Sequence, residues 1–147
     1  MFNRILVALN EHELESQQDS PIFEALQSLN LATDSHLILG HVIPVNATEL
    51  ERGMDQHHET QQLIIDKIEQ TQTTINHTFD LKSEVEVVAG EPGEEIVRLA
   101  NIHHADLIVI GSRGLKGVKR VLERSVSSQV SEEASCSVLV VKSDHTH

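Results

Sequence analysis

Seven consecutive residues, Gly111-Ser112-Arg113-Gly114-Leu115-Lys116-Gly117, place three glycines at three-residue intervals directly after an aliphatic stretch. Five of the eleven basic residues, Arg113, Lys116, Lys119, Arg120 and Arg124, fall within the same neighbourhood, opposed only by Glu123. Glycine lets backbone N–H groups come close to an anion, and a helix beginning near Ser125 would add the positive end of its dipole. Together these features suit polyphosphate binding. The same residues also suit a solvated loop whose cations pair with acidic surface elsewhere, and composition alone leaves both readings open. The spacing is neither GxxxxGK[ST] nor GxGxxG, so neither a P-loop nor a dinucleotide fingerprint is present.

The remaining candidates for chemistry are weaker. Ten histidines invite a metal reading, but His57-His58 and His103-His104 are adjacent pairs that point apart on a helix, and no HExxH or Cys/His ligand spacing occurs. No metal site is expected, and the Asp144-His145-Thr146-His147 end reads as a frayed tail. Cys136 is the sole cysteine, which excludes a disulfide framework and suggests a buried, inert thiol. Ser112, Ser125 and Ser127 have no base nearby in sequence, so no catalytic residue is assigned.

These groups sit in a chain of 147 residues with a formal charge of −12. That length suits one domain, here residues 1–143 followed by a 144–147 tail. An acidic chain with three phenylalanines and no Tyr or Trp is a poor binder of nucleic acid or anionic membrane. Its core must be aliphatic. Apolar runs of about five residues are too short to span a bilayer, and Ile5–Leu9 is too short for a signal peptide, so a cytoplasmic protein is expected.

Four short aliphatic segments, Ile5–Leu9, His36–Ile43, Asp106–Ile110 and Ser137–Val141, read as buried strands, and alternating Ser83–Val88 reads as a half-exposed one. Between them lie helical patterns. Ser20 caps one with Pro21 at its first position, Gln61–Thr78 carries another, Pro92 opens a third and Ser125 caps the last. Polar Pro44–Glu59, with Gly53, reads as a long surface loop. Strict β-α alternation implies an α/β three-layer sandwich: a parallel sheet with helices on both faces and right-handed crossovers. Ligands of such sheets gather beyond the carboxyl ends of the strands, here just after Leu9, Ile43 and Ile110.

Ile5–Asn10 with the short polar loop after it, His41-Val42-Ile43, Gly90-Glu91-Pro92 with Glu94-Glu95-Ile96-Val97, Ala105–Gly114 and Cys136–Lys142 together resemble the universal stress protein family. The resemblance covers nearly the whole chain. It implies a Rossmann-like five-stranded sheet of order 3-2-1-4-5, a homodimer formed through the last strand, Ser137–Val141, and a stress-response regulatory role. It also implies ATP or AMP in a pocket at the carboxyl end of the sheet, with Mg²⁺ only alongside bound nucleotide. Carried over residue by residue, that pocket comprises Ala8, Leu9 and Asn10, Val42 and Ile110 flanking the base, and Gly111, Arg113, Gly114, Arg124, Ser125, Val126 and Ser127 around ribose and phosphates. Slow ATP hydrolysis or autophosphorylation, which some members show, is left open; the chain is read as a binding protein with an unidentified protein partner.

Two positions depart from the family pattern. Nucleotide-binding members carry Gly, two residues, Gly, nine residues, then Gly before Ser or Thr; here Gly111, Gly114 and Ser125 fit, but Arg124 replaces the third glycine. Asn10 stands where an aspartate is usual. Arg124 either clamps a phosphate with its guanidinium or fills the phosphate site. The second case is the alternative reading: a dimeric stress protein without nucleotide that acts through protein contacts. Asn10 keeps an amide oxygen able to accept from a ribose hydroxyl but lacks the charge.

Overall fold

The computed structural model describes residues 2–16, 19–44, 54–112 and 125–142. Five strands, β1 (Arg4–Ala8), β2 (His36–Pro44), β3 (Lys82–Gly90), β4 (Leu107–Gly111) and β5 (Ser137–Val141), form one parallel sheet of order β3-β2-β1-β4-β5. The aliphatic runs account for the centre of that order. Ile5 to Ala8 of β1 and Leu107 to Ile110 of β4 are buried on both faces, paired in register from Ile5–Leu107 to Ala8–Ile110. β3, with its alternating glutamates, takes one edge and β5 takes the other.

Side-chain alternation splits the core in two. Ile5, Val7, Leu37, Leu39, Leu107 and Val109 face one layer, and Leu6, Ala8, Ile38, Val42, Ile108 and Ile110 face the other. The first face is covered by α1 (Glu11–Ser16), α2 (Pro21–Ser28) and α3 (Met54–Phe79), which contribute Leu14, Ile22, Phe23, Leu26, Ile64, Ile68 and Ile75. The second is covered by α4 (Pro92–Ile102) and α5 (Val126–Glu133), through Ile96, Leu99, Ala100 and Val130.

The helix starts follow their capping chemistry. Ser20 Oγ accepts from Ile22 N at 3.1 Å, and Pro21 occupies the first turn, where a missing N–H costs nothing. Ser125 Oγ accepts from Ser128 N at 3.1 Å to open α5. Glu91 opens α4, its carboxylate accepting from Gly93 N at 3.3 Å and Glu94 N at 2.9 Å. The preceding Gly90 holds φ at 156°, and a Cβ there would lie 2.9 Å from Glu95 Cγ, so the β3–α4 turn needs glycine on both counts.

Two expectations are corrected. The polar stretch after Asn10 is helix α1 rather than a loop. The expected loop Pro44–Glu59 ends earlier: Pro44 closes β2 and the helix already begins at Met54, with residues 45–53, including Gly53, outside the described residues. Residues 54–60 lack the apolar repeat by which a core-facing helix is recognised, so the helix start is invisible to periodicity. Among the described residues no helix is long and apolar enough to cross a membrane.

Candidate functional site

The sheet order reverses between β1 and β4, because β2 lies on one side of β1 and β4 on the other. Beyond the carboxyl ends of these strands opens a cavity of about 390 Å³, within the range of small-molecule sites. Ala8, Leu9 and Asn10 enter it from the end of β1, Gly40, His41, Val42 and Pro44 from β2, and Ile110 and Gly111 from β4. Pro92 and Ile96 of α4 and Val126 and Ser127 of α5 close one side; Glu11, His12, Glu13 and Glu15 of α1 close the other.

The two walls differ in charge. The first N–H groups of a helix have no acceptor within the helix and carry its positive dipole end. Val126 and Ser127 bring that end of α5 to the cavity rim, and Ser125 holds it open as the cap. The α1 wall presents three glutamates. An anion is therefore favoured at α5, while Val42, Ile96, Ile110 and Leu9 offer an aliphatic surface between the walls.

Helix α1 is fastened by a reciprocal capping box. Asn10 Oδ1 accepts from Glu13 N at 2.9 Å, and Glu13 Oε1 accepts from Asn10 N at 2.8 Å. Asn10 thus has a structural role that the sequence analysis did not assign. The Asn10-x-x-Glu13 spacing was the available signal. Glu13 is buried at 5% exposure, and its Oε2 would lie 2.7 Å from a Cβ on Gly111. Glycine at 111 leaves the space in which that carboxylate packs, and so couples the end of β4 to the start of α1.

His41 is the other buried polar group on the floor. Its Nδ1 donates to the Leu9 carbonyl at 2.7 Å, which ties β2 to the end of β1 and directs the acceptor role to Nε2 in the neutral ring. Burial pushes the imidazole pKa down, opposed by the Leu9 hydrogen bond and the nearby Glu11 charge. A depressed histidine favours the folded state fully above its unfolded value near 6.5 and loses that contribution as pH falls toward the folded value. Between urea melts at pH 7.5 and pH 5.5, the native chain is expected to lose more stability than His41→Gln, by up to about 1.4 kcal/mol per pH unit in that window. Equal losses in the two proteins would contradict this assignment.

Of the expected pocket residues, the cavity brings together Ala8, Leu9, Asn10, Val42, Ile110, Gly111, Val126 and Ser127, with Ser125 one residue behind as the helix cap. Arg113, Gly114 and Arg124 lie outside the described residues, as do Lys116, Gly117, Lys119 and Arg120 and the 144–147 tail. Cys136 is half-buried rather than buried, and desolvation raises its thiol pKa, in keeping with an unreactive side chain.

The universal stress protein family model matches residues 1–142. The chain belongs to the universal stress protein family. The universal stress protein Sll1388 of Synechocystis is 32% identical to this universal stress protein, covering 96% of this chain and 98% of its own. Among solved structures, UspA from Lactobacillus plantarum superposes with a TM-score of 0.74 at 23% identity, covering 95% of this chain and 97% of its own. An Arabidopsis thaliana family member with AMP bound has a TM-score of 0.59 at 19% identity, with 97% and 93% covered. A universal stress protein in complex with cAMP has a TM-score of 0.64 at 19% identity, with 96% and 97% covered. At these identities the structural likeness establishes the shared fold.

Proposed function

We propose that this universal stress protein is a stress-response regulatory protein that binds an adenine nucleotide, AMP or ATP, in the cavity at the carboxyl end of the sheet. The observation that carries this reading is the meeting, in one cavity, of an aliphatic slot and the amino end of α5. Adenine is a flat, weakly polar ring that Val42 and Ile110 can flank, and phosphate is the anion that a helix start attracts. The AMP and cAMP found in two relatives of the same fold are ligands of this chemical class. The glutamates of α1 would repel phosphates, which supports a phosphate position at the opposite wall, beside Val126 and Ser127. They also favour the smaller charge of AMP over ATP. β5, an edge strand with half-buried Val138, Leu139, Val140 and Val141, supports pairing with a second copy into a homodimer.

Equilibrium titration of nucleotide-free protein with AMP and with ATP·Mg²⁺, in the native chain and in Arg124→Gly, tests the reading. Micromolar binding by the native chain that weakens in Arg124→Gly is the expected result, with the guanidinium as a phosphate clamp. A specific feature favours a second reading, since Arg124 stands where nucleotide-binding members carry glycine. If only Arg124→Gly binds nucleotide, the arginine fills the phosphate site and the protein acts through protein contacts without nucleotide. No binding by either protein would overturn the nucleotide reading altogether.

A further inference from the structure

At the other end of the sheet, away from the cavity, four side chains from three elements converge. Glu84 and Glu86 project from the same face of β3, His36 begins β2, and His103 caps the carboxyl end of α4. His103 lies between the two carboxylates, with Nε2 2.7 Å from Glu86 Oε2 and Nδ1 3.7 Å from Glu84 Oε1. On the far side of Glu84, His36 Nε2 lies 2.5 Å from Oε2. We propose that Glu84, Glu86 and His103 form a binding site for a divalent transition-metal ion of zinc type.

Geometry and charge both support it. One ligand atom from each of the three residues lies within 4.8 Å of the other two. Tetrahedral zinc with bonds of about 2.0–2.2 Å needs ligand atoms roughly 3.4 Å apart, so rotamer-scale movement closes the set. Among the described residues no lysine or arginine comes within 4.0 Å of either carboxylate, where the charge-capable groups are imidazoles; the Arg98 guanidinium acts on Glu86 from farther away. The two carboxylates offer negative charge that a divalent cation would neutralise. Mixed imidazole and carboxylate donors suit zinc better than magnesium or calcium, which prefer oxygen alone.

The surroundings are built to orient these ligands. His36 donates to Glu84 and lies outside the set of three, the position of an outer partner that fixes a ligating carboxylate. Arg4 Nε donates to the His103 carbonyl at 2.6 Å, anchoring the end of α4 against β1. The β2–β3 register pairs Ile38 with Glu84 and Gly40 with Glu86, so both carboxylates stand on a strand rather than a loop. Partial exposure of both carboxylates, 42% and 34% for their side chains, leaves an entry path and a place for a water as fourth ligand. A bound ion would clamp the β3 edge to α4.

The test is a Zn²⁺ titration of the full chain at pH 7.5 against a competing chelator, which reads only sites of micromolar affinity or tighter. One such site is expected. Glu86→Gln and His103→Gln should each weaken it at least about 100-fold, and His36→Gln about 10-fold, as outer partners commonly do. The double variant His145→Ala/His147→Ala removes the histidines of the tail and should leave the site unchanged. In the unmodified chain, Zn²⁺ should slow amide hydrogen exchange at residues 82–86 and 99–104, a readout independent of how the variants fold. No micromolar site, loss of the site in the tail variant, or retention in Glu86→Gln and His103→Gln would overturn the proposal.

Discussion

Leu6→Ala is expected to lower the unfolding free energy by about 3 kcal/mol, within the 2–5 kcal/mol span of such core truncations. Leu6 sits fully buried on the central strand, with Ile38 of β2 and Ile108 of β4 beside it in register. On the face it shares with them it is covered by α4 and α5. Its side chain also fills the gap left by the missing side chain at Gly40, since a Cβ there would lie 3.1 Å from Leu6 Cδ1. Truncation therefore opens a void in a layer packed from strand and helix side chains. Domains of this kind are stable by only about 5–15 kcal/mol, and for this length the loss corresponds to a melting-point drop of roughly 6–12 °C. Leu63→Ala, at a site 62% exposed, should change stability by less than about 0.5 kcal/mol. The pair with Gly40 offers a sharper check. Gly40→Ala should destabilise the native chain but stabilise Leu6→Ala, because the new methyl then enters the vacated space. Additive effects in chemical denaturation would show that Leu6 and Gly40 do not share one space.

The parts of this molecule legible in the sequence are those written by local chemistry. Ile5 to Leu9 and Leu107 to Ile110 are unbroken aliphatic runs, the pattern of a strand buried on both faces, and both belong to central strands. Ser20 and Ser125 marked helix starts because a hydroxyl can satisfy a free N–H wherever the chain turns into a helix. Helix α1 was hidden because it has one apolar residue, Leu14, among glutamates and a histidine, too few to show a period. Its stability comes from the Asn10–Glu13 box and from the space at Gly111, a contact between residues about a hundred positions apart that no local pattern encodes. The His36, Glu84, Glu86 and His103 group was unreadable for the same reason. His103 looked unpromising beside His104, whereas its partners lie on β3 and are brought to it by the packing of α4. The cavity falls between these cases. Its strand-end residues follow from the reversal rule for parallel sheets, but its glutamate wall depends on a helix that the sequence pattern concealed.

Val42→Trp is expected to abolish AMP binding, weakening it at least about 100-fold, or roughly 2.7 kcal/mol. Val42 is 8% exposed, pairs with Val88 across the β2–β3 register, and presents its side chain to the cavity on the face covered by α4. An indole at that position projects into the slot that we assign to adenine. Val42→Ala provides the graded counterpart. Loss of two methyl groups from an apolar wall costs about 0.8 kcal/mol each, so binding should weaken roughly 10-fold. Because a bulky replacement can strain the strand, the phosphate end is tested separately with Ser127→Asp. A carboxylate in the first turn of α5 complements the helix dipole but loses hydration at a site only 7% exposed, so a stability loss of about 1–3 kcal/mol is expected. The same charge occupies the field that a phosphate would use and should repel it. Binding lost in both Val42→Trp and Ser127→Asp, with thermal melts showing both variants folded at the assay temperature, would locate base and phosphate at opposite ends of one cavity. Undiminished AMP affinity in either variant would mean that the nucleotide lies elsewhere, even if the native protein binds it.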